Sequence, residues 1–432
     1  MTPPLHVDTP AVPDADSCGC AEGRRLELSR RGVLKAMGGT ALMTAMLGDA
    51  ELAFGATAGT KANVFVTIVL AGGMDGLSMV APVGDPDYAP NRPGIAVPAS
   101  AAKQVDSIFG LHPALAPLFP LWTAGKFAAV HAVGQEAPTR SHFEAMEELE
   151  RAAPLSSQRR GWLDRTLGML PAGGPLEAVS LGQSGIPGLL GGTMPKLSAG
   201  RLDDVKLPVD LNETPLSLWK QTVAQLHAGA RPDVSAPISN ALAAVEAVNA
   251  VPAASTSTTY PDNNWGIALK DIARLIKADS GLRVATVPYN SWDHHTNFGA
   301  VDSTGSTFAG RVSGLATGLA AFAADLGPDF DRVTIVTCTE FGRRVKQNGN
   351  SGLDHGHGSA TLLLGGGVNG GKVYGKWPTL RKDALDQGLD LAVTTDYRAI
   401  MSEILIGRMS VSSVKDVFPG YTPTPVGAIK AS

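Results

Sequence analysis

The stretch 291-SWDHHTNF-298 sets an aspartate and two adjacent histidines directly after the apolar run 282-LRVATVPY-289, and 354-DHGHG-358 supplies a second aspartate–imidazole set. Asp293 and His295 stand two positions apart, so extended or turning backbone sends both side chains to one side. Asp354, His355 and His357 repeat that arrangement with glycines between, which let backbone and ligand approach closely. Carboxylates mixed with imidazoles suit a divalent cation, zinc or manganese before others, and one or two ions are expected. A lone histidine near a strand end is more often a satisfied core or surface residue; the pairing is what points to a metal.

A hydroxyl candidate lies in 139-TRSHFE-144. Ser141 and Glu144 have the S-x-x-E spacing of a capping box that opens a helix. A hydroxyl at a helix N-terminus also sits in positive potential, where a phosphoryl or sulfuryl group would meet N–H donors. Ser141 is therefore a candidate nucleophile as well as a cap, with Arg140 beside it to bind an anion. The roles of His142 and His294 stay open. Asp75 in 72-GGMDG-76 reads either as a turn residue or as a site residue in a glycine loop. Glu340 follows the run 332-RVTIVTC-338 at once, and Arg343 and Arg344 could bind an anionic substrate or a surface carboxylate, the surface reading being favoured. The glycine loop after the first apolar run lacks the G-x-G-x-x-G fingerprint of a dinucleotide site, and no G-x-S-x-G elbow is present.

Elements that would position these groups can be read from hydrophobic period. Short runs rich in β-branched residues, 63–71, 127–133, 177–182, 283–289, 332–338 and 360–366, read as buried strands. Amphipathic patterns over 141–152, 215–229, 238–250, 266–278 and 308–326 read as helices. Their alternation predicts an α/β fold, a largely parallel central sheet sandwiched by helices, with a small helical insertion over about 197–262. Four strands then release acidic, hydroxyl or imidazole groups just past their C-terminal ends, the edge at which open α/β sheets bind ligands.

The whole chain bounds the rest. Over 432 residues the net charge is -4, so no basic field argues for nucleic acid, and 44% hydrophobic with 18% charged residues is ordinary for a globular protein. Residues 29-SRRGVLK-35, a weakly apolar stretch and small residues near 53-AFGATAG-59 have the layout of a twin-arginine export signal. The expected division is a signal region over 1–58 and an α/β domain over 59–432. The chain should engage the twin-arginine export machinery and act in the periplasm or as a secreted protein, without a stable membrane span. Cys18 and Cys20 would leave with the signal, and Cys338 reads as core.

The motifs 70-LAGGMDGL-77, 139-TRSHFEAMEELE-150, 292-WDHHTN-297, 339-TEFGRR-344, 354-DHGHG-358, 365-GGGVNGGKVYGKWP-378, 394-TTDYRAI-400 and 417-VFPG-420 resemble, in order, the bacterial domain-of-unknown-function family numbered 1501. That family looks related to the alkaline phosphatase and sulfatase superfamily. The resemblance implies an alkaline phosphatase-like fold, with Asp75 on one metal, Ser141 as nucleophile, and Asp293 with His295 on the other metal. His357 or His355 would be the last imidazole. The superfamily's further Asp-His pair reads 340-EF-341 here; Glu340 can bind a metal and Phe341 cannot. The implied function is metal-dependent hydrolysis of a small anionic phosphate or sulfate ester. The alternative is a non-catalytic metal- or ligand-binding envelope protein on the same fold, which Phe341 favours.

Overall fold

The apolar runs alternate between two hydrophobic layers rather than between core and water. Val64, Val66 and Ile68 pack into one cluster, and Phe65 between them packs into another on the opposite face. A strand covered on both faces reads as near-continuous apolar sequence. The computed structural model of the chain describes residues 61–136, 139–206, 216–227, 231–253, 255–299 and 307–430. The expected signal region, 1–58, lies outside the described residues.

Twelve strands are described: β1 Val64–Val69, β2 Val80–Ala81, β3 Lys103–Gln104, β4 Gly110–Leu111, β5 Phe127–Gly134, β6 Ala178–Leu181, β7 Leu197–Ala199, β8 Val284–Pro288, β9 Val333–Cys338, β10 Ser359–Gly365, β11 Val373–Tyr374 and β12 Thr395–Asp396. The longer helices are α1 His142–Arg151, α2 Trp162–Leu167, α3 Leu216–Leu226, α4 Pro232–Ala250, α5 Asn264–Lys277, α6 Thr307–Leu326 and α7 Tyr397–Met409. Nine strands form one sheet in the order β11-β5-β10-β9-β1-β8-β6-β7, with β12 beside β5; β2, β4 and β3 make a small second sheet.

Helices α5 and α6 cover one face through Ile272, Ile276, Leu315 and Leu319. Helices α2 and α7 cover the other through Trp162, Leu163, Ile400 and Ile404. The architecture is the expected α/β sandwich. One departure matters: β10 runs antiparallel to both β5 and β9, whereas β1, β8 and β9 are mutually parallel. Within 197–262, β7 joins the main sheet as its edge strand, and Val245 and Val248 of α4 pack into the same cluster as α5. Among the described residues no helix is long and apolar enough to cross a membrane.

This topology explains how distant sequence segments reach one rim. The C-terminal ends of β1, β8 and β9 lie side by side because the three are parallel. The segment that enters β10 comes to that rim because β10 is reversed. β5, antiparallel to β10, then points its own C-terminus there as well. Residues 71–73, 139–142, 290–295, 339–343 and 354–357 are thereby delivered to the same edge of the sheet.

Candidate metal centre

The rim is built on tight backbone approach. Gly72 and Gly73 have φ of +118° and +65°, and a Cβ on Gly72 would stand 2.7 Å from the amide nitrogen of Asp293. Only glycine fits there. The Gly72 and Gly73 amides both donate to Glu340 Oε1, at 2.8 and 3.1 Å. Arg343, buried behind the loop, donates from Nε to the Gly73 carbonyl at 2.7 Å and from Nη1 to the Leu353 carbonyl at 3.1 Å. Its Nη2 reaches the Gly72 carbonyl and Asp293 Oδ1, the latter at 2.5 Å. The arginine read as a surface residue is instead the buried hub of the rim, because three loops leave carbonyls there without strand partners.

On this frame His142, Asp293 and His355 bring one ligand-type atom each to within 4.8 Å of one another. Asp293 Oδ2 is 3.5 Å from His142 Nε2, and Asp293 Oδ1 is 3.3 Å from His355 Nε2. His295 completes the group, with Nε2 3.1 Å from Asp293 Oδ1 and 2.8 Å from His355 Nε2. In a tetrahedral site with bonds of about 2.0–2.1 Å, ligand atoms lie roughly 3.3 Å apart. The two imidazole–carboxylate separations, each to a different oxygen of Asp293, are of that kind. His142 Nε2 is buried with no hydrogen-bond partner, an uncompensated lone pair facing a carboxylate.

Each of these residues is held from behind, which fixes which nitrogen faces inward. His142 Nδ1 donates to Glu340 Oε1 at 2.6 Å, and His355 Nδ1 donates to the Arg140 carbonyl at 2.8 Å. His295 Nδ1 faces Asp354 Oδ1 at 3.6 Å, and Asp354 is itself held by Asn348 Nδ2 at 3.1 Å. Burial works to raise the Asp293 carboxyl, but Arg343 with His295 and His142 outweighs it and holds the pKa at about 2. Burial lowers the His355 imidazole, and Arg343 and His142 lower it further against the Arg140 carbonyl. An ionised carboxylate and a neutral imidazole are the forms that bind a cation.

Other residues expected at the site lie elsewhere or play a different part. Asp75 is fully engaged by Arg92, which donates to its two oxygens at 2.6 and 3.0 Å in a buried pair. Burial alone would raise the Asp75 carboxyl, yet the Arg92 guanidinium holds it below its ordinary value. His357 binds Asp386 at 3.0 Å and lines a second cleft with Gln135 and Glu136. Both corrections have one cause: each side chain has a nearer partner of matching charge or polarity. Glu340 stands behind His142 rather than beside Asp293, because three donors already occupy its Oε1. Asp354 likewise backs His295.

Ser141 caps α1, its hydroxyl accepting from the Glu144 amide at 3.5 Å. The Arg140 guanidinium is bound to the buried Asp390, with Nη2 to Oδ2 at 2.5 Å. His294 is half-buried and packs against the rings of Trp292, Phe298 and Phe308, away from the cluster. Phe341 is an aromatic wall, its ring 4.7 Å from that of His142 and 4.9 Å from that of His355. His142 is one of two histidines whose part the sequence left open. Its signal was position: the first helical residue after a strand end, where a side chain points back over the helix N-terminus toward the sheet rim.

An open cleft of about 560 Å³ adjoins the cluster, lined by Ala71, Gly72, His142, Phe143, Met146, Glu147, Glu150, Asn290, Ser291, Asp293 and Glu340. Fold and site together define an α/β protein with a His/Asp cluster at the rim of its sheet. Residues 241–405 match the model of the family described as a protein of unknown function (DUF1501). No curated protein matches the chain.

Among solved structures, the lipoteichoic acid synthase LtaP from Listeria monocytogenes is similar at 7% identity and a TM-score of 0.32, over 70% of this chain and 65% of that one. The sulfatase PsFucS1 from Pseudoalteromonas sp. is similar at 10% identity and a TM-score of 0.32, over 72% and 64%. Ps i-CgsB, solved in complex with k-i-k-neocarrahexaose, is similar at 11% identity and a TM-score of 0.35, over 83% and 74%. The chain thus spans less than two thirds of the first and second of these. At such overlap the likeness says nothing of what this chain binds or does.

Proposed function

We propose that the protein is an exported, metal-dependent hydrolase of phosphate or sulfate esters that works at the His142, Asp293 and His355 cluster. The single observation that carries this reading is the convergence of those three ligand-type atoms within 4.8 Å at the mouth of a cleft. The residues fit a divalent cation: the buried Nε2 of His142 has no hydrogen-bond partner, and the ligand-type atoms near it come from a carboxylate and an imidazole. When bound, the cation would supply Lewis-acid polarisation of an ester oxygen.

The chain's own groups have distinct parts in this reading. Glu340 and the Arg140 carbonyl keep Nε2 of His142 and His355 turned inward. Arg343 keeps Asp293 ionised. His295, half-exposed beside Asp293, is placed to take or give a proton at Nε2. Attack is assigned to water rather than to Ser141, whose hydroxyl serves the α1 cap and does not line the cleft. Export follows from the arginine pair at Arg30 and Arg31, so the site of action is the periplasm or the exterior.

A second reading is a metal- or ligand-binding envelope protein without turnover. Phe341 favours it, since a ring fills the place where the superfamily resemblance implies a second ligand pair. One experiment separates the two. The purified chain is analysed for metal and then screened against nitrophenyl phosphate, a nitrophenyl phosphodiester and nitrophenyl sulfate. Metal-dependent release of nitrophenol supports the hydrolase, and bound metal without turnover supports the second reading.

A further inference from the structure

Helix α1 carries the ligand-type residue His142 at its start, and its next two turns make the wall of the adjoining cleft. Phe143, Met146, Glu147 and Glu150 fall at i, i+3, i+4 and i+7, a single helical stripe, and all four line the cleft. The opposite side of the helix is spent on packing, through Ala145 and Leu149. Phe143 is 91% exposed, a large apolar ring held in water directly beside the cluster. A single exposed apolar side chain is ordinary, but Phe143 and Met146 stand together on the wall of a concave cleft, the kind of place where ligands bind.

Charge in the cleft narrows the ligand. Glu147 is compensated by Arg151 at 3.6 Å and Arg159 at 3.8 Å, and Glu150 accepts from the Gly188 amide at 3.0 Å. No lysine or arginine is among the described residues that line the cleft. A polyanion such as a multiply sulfated sugar chain would find one cationic centre and no second one. An ester with a single anionic group and an apolar remainder would find both the centre and a ring to lie on.

We propose that the substrate is a monoester whose organic group is apolar, and that Phe143, with Met146 behind it, is the residue that selects that group. This rests on the ester-hydrolase reading above. Phe143 to Met146 rises about 4.5 Å along the helix, enough to cover the first few methylenes of an alkyl chain.

The test is calorimetric binding of methyl-, butyl- and hexylphosphonate, and of the matching sulfonates, to the zinc-loaded full chain and to Phe143→Ala. The wild type should tighten about threefold for each of the first methylenes, a little under the gain of full burial. In Phe143→Ala that length dependence should fall to about half or less. Equal affinity for all chain lengths, or an undiminished length dependence in the variant, would overturn the selection by Phe143 while leaving the ester reading standing. Failure of even the methyl compounds to bind would overturn the ester reading itself, and this inference with it.

Discussion

His142 Nδ1 and Glu340 Oε1 lie 2.6 Å apart, and the same carboxylate oxygen accepts from the amides of Gly72 and Gly73. One oxygen thus ties a helix start to the loop after β1 and turns the buried Nε2 of His142 toward Asp293. Removing it should loosen the cluster without touching any ligand atom. Glu340→Ala is expected to weaken zinc affinity by about 10–100-fold, with Glu340→Gln closer to wild type because an amide oxygen can still accept from His142. Chelator competition measures this; wild-type affinity in the alanine variant would remove Glu340 from the account.

Asp75 and Arg92 should matter for stability and not for metal. Asp75→Asn leaves the Arg92 guanidinium buried with its countercharge gone, a loss of about 3–5 kcal/mol. Urea denaturation should report that loss while metal content per folded chain stays unchanged. Loss of metal with stability intact would instead return Asp75 to the site.

Acid should destabilise the metal-free fold well above the carboxylate range. Burial lowers both His112 and His131 to about 4, whereas an unfolded histidine titrates near 6.5. Between those values the unfolded chain binds more protons, so stability falls as pH drops from about 6.5 toward 4. At pH 5 each buried imidazole contributes a loss on the order of 2 kcal/mol. Denaturant melts at pH 7 and pH 5 test this, and equal midpoints would contradict it. Asp75, held below its ordinary value, adds a loss only under more acid conditions, as pH falls below the unfolded carboxyl value and on through its own.

Ser141→Ala should cost about 1 kcal/mol of stability through the lost cap of α1 and leave both metal and any esterase turnover in place. Abolished turnover in a folded, metal-loaded Ser141→Ala protein would make Ser141 the nucleophile and displace water from that part.

Much of this was legible before the fold. The six apolar runs are strands and the five amphipathic patterns are helices, because burial on both faces or on one stripe writes itself into period. Helix α7 escaped notice because Tyr397, Arg398, Ala399 and Ser402 are all buried along with its aliphatic positions, which erases the stripe. The reversal of β10 left no mark either: Ser359–Gly365 is apolar whichever way it runs. At the site, Asp293, His295 and His355 could be picked out by type and spacing. The pairing of Asp75 with Arg92 could not, since Arg92 lies in a loop with nothing to flag it. Glu340 looked like a ligand, because sequence shows a carboxylate at a strand end but not the two glycine amides turned toward it.

Metal content is the most direct test of the central claim, that His142, Asp293 and His355 share one cation. Purified full chain is analysed by elemental spectrometry after exposure to zinc and manganese, beside His142→Ala, Asp293→Ala and His357→Ala. About one divalent ion per wild-type and His357→Ala chain is expected, with a large loss in the other two. A folded wild type that retains no metal, or a His142→Ala chain that retains it in full, would contradict it.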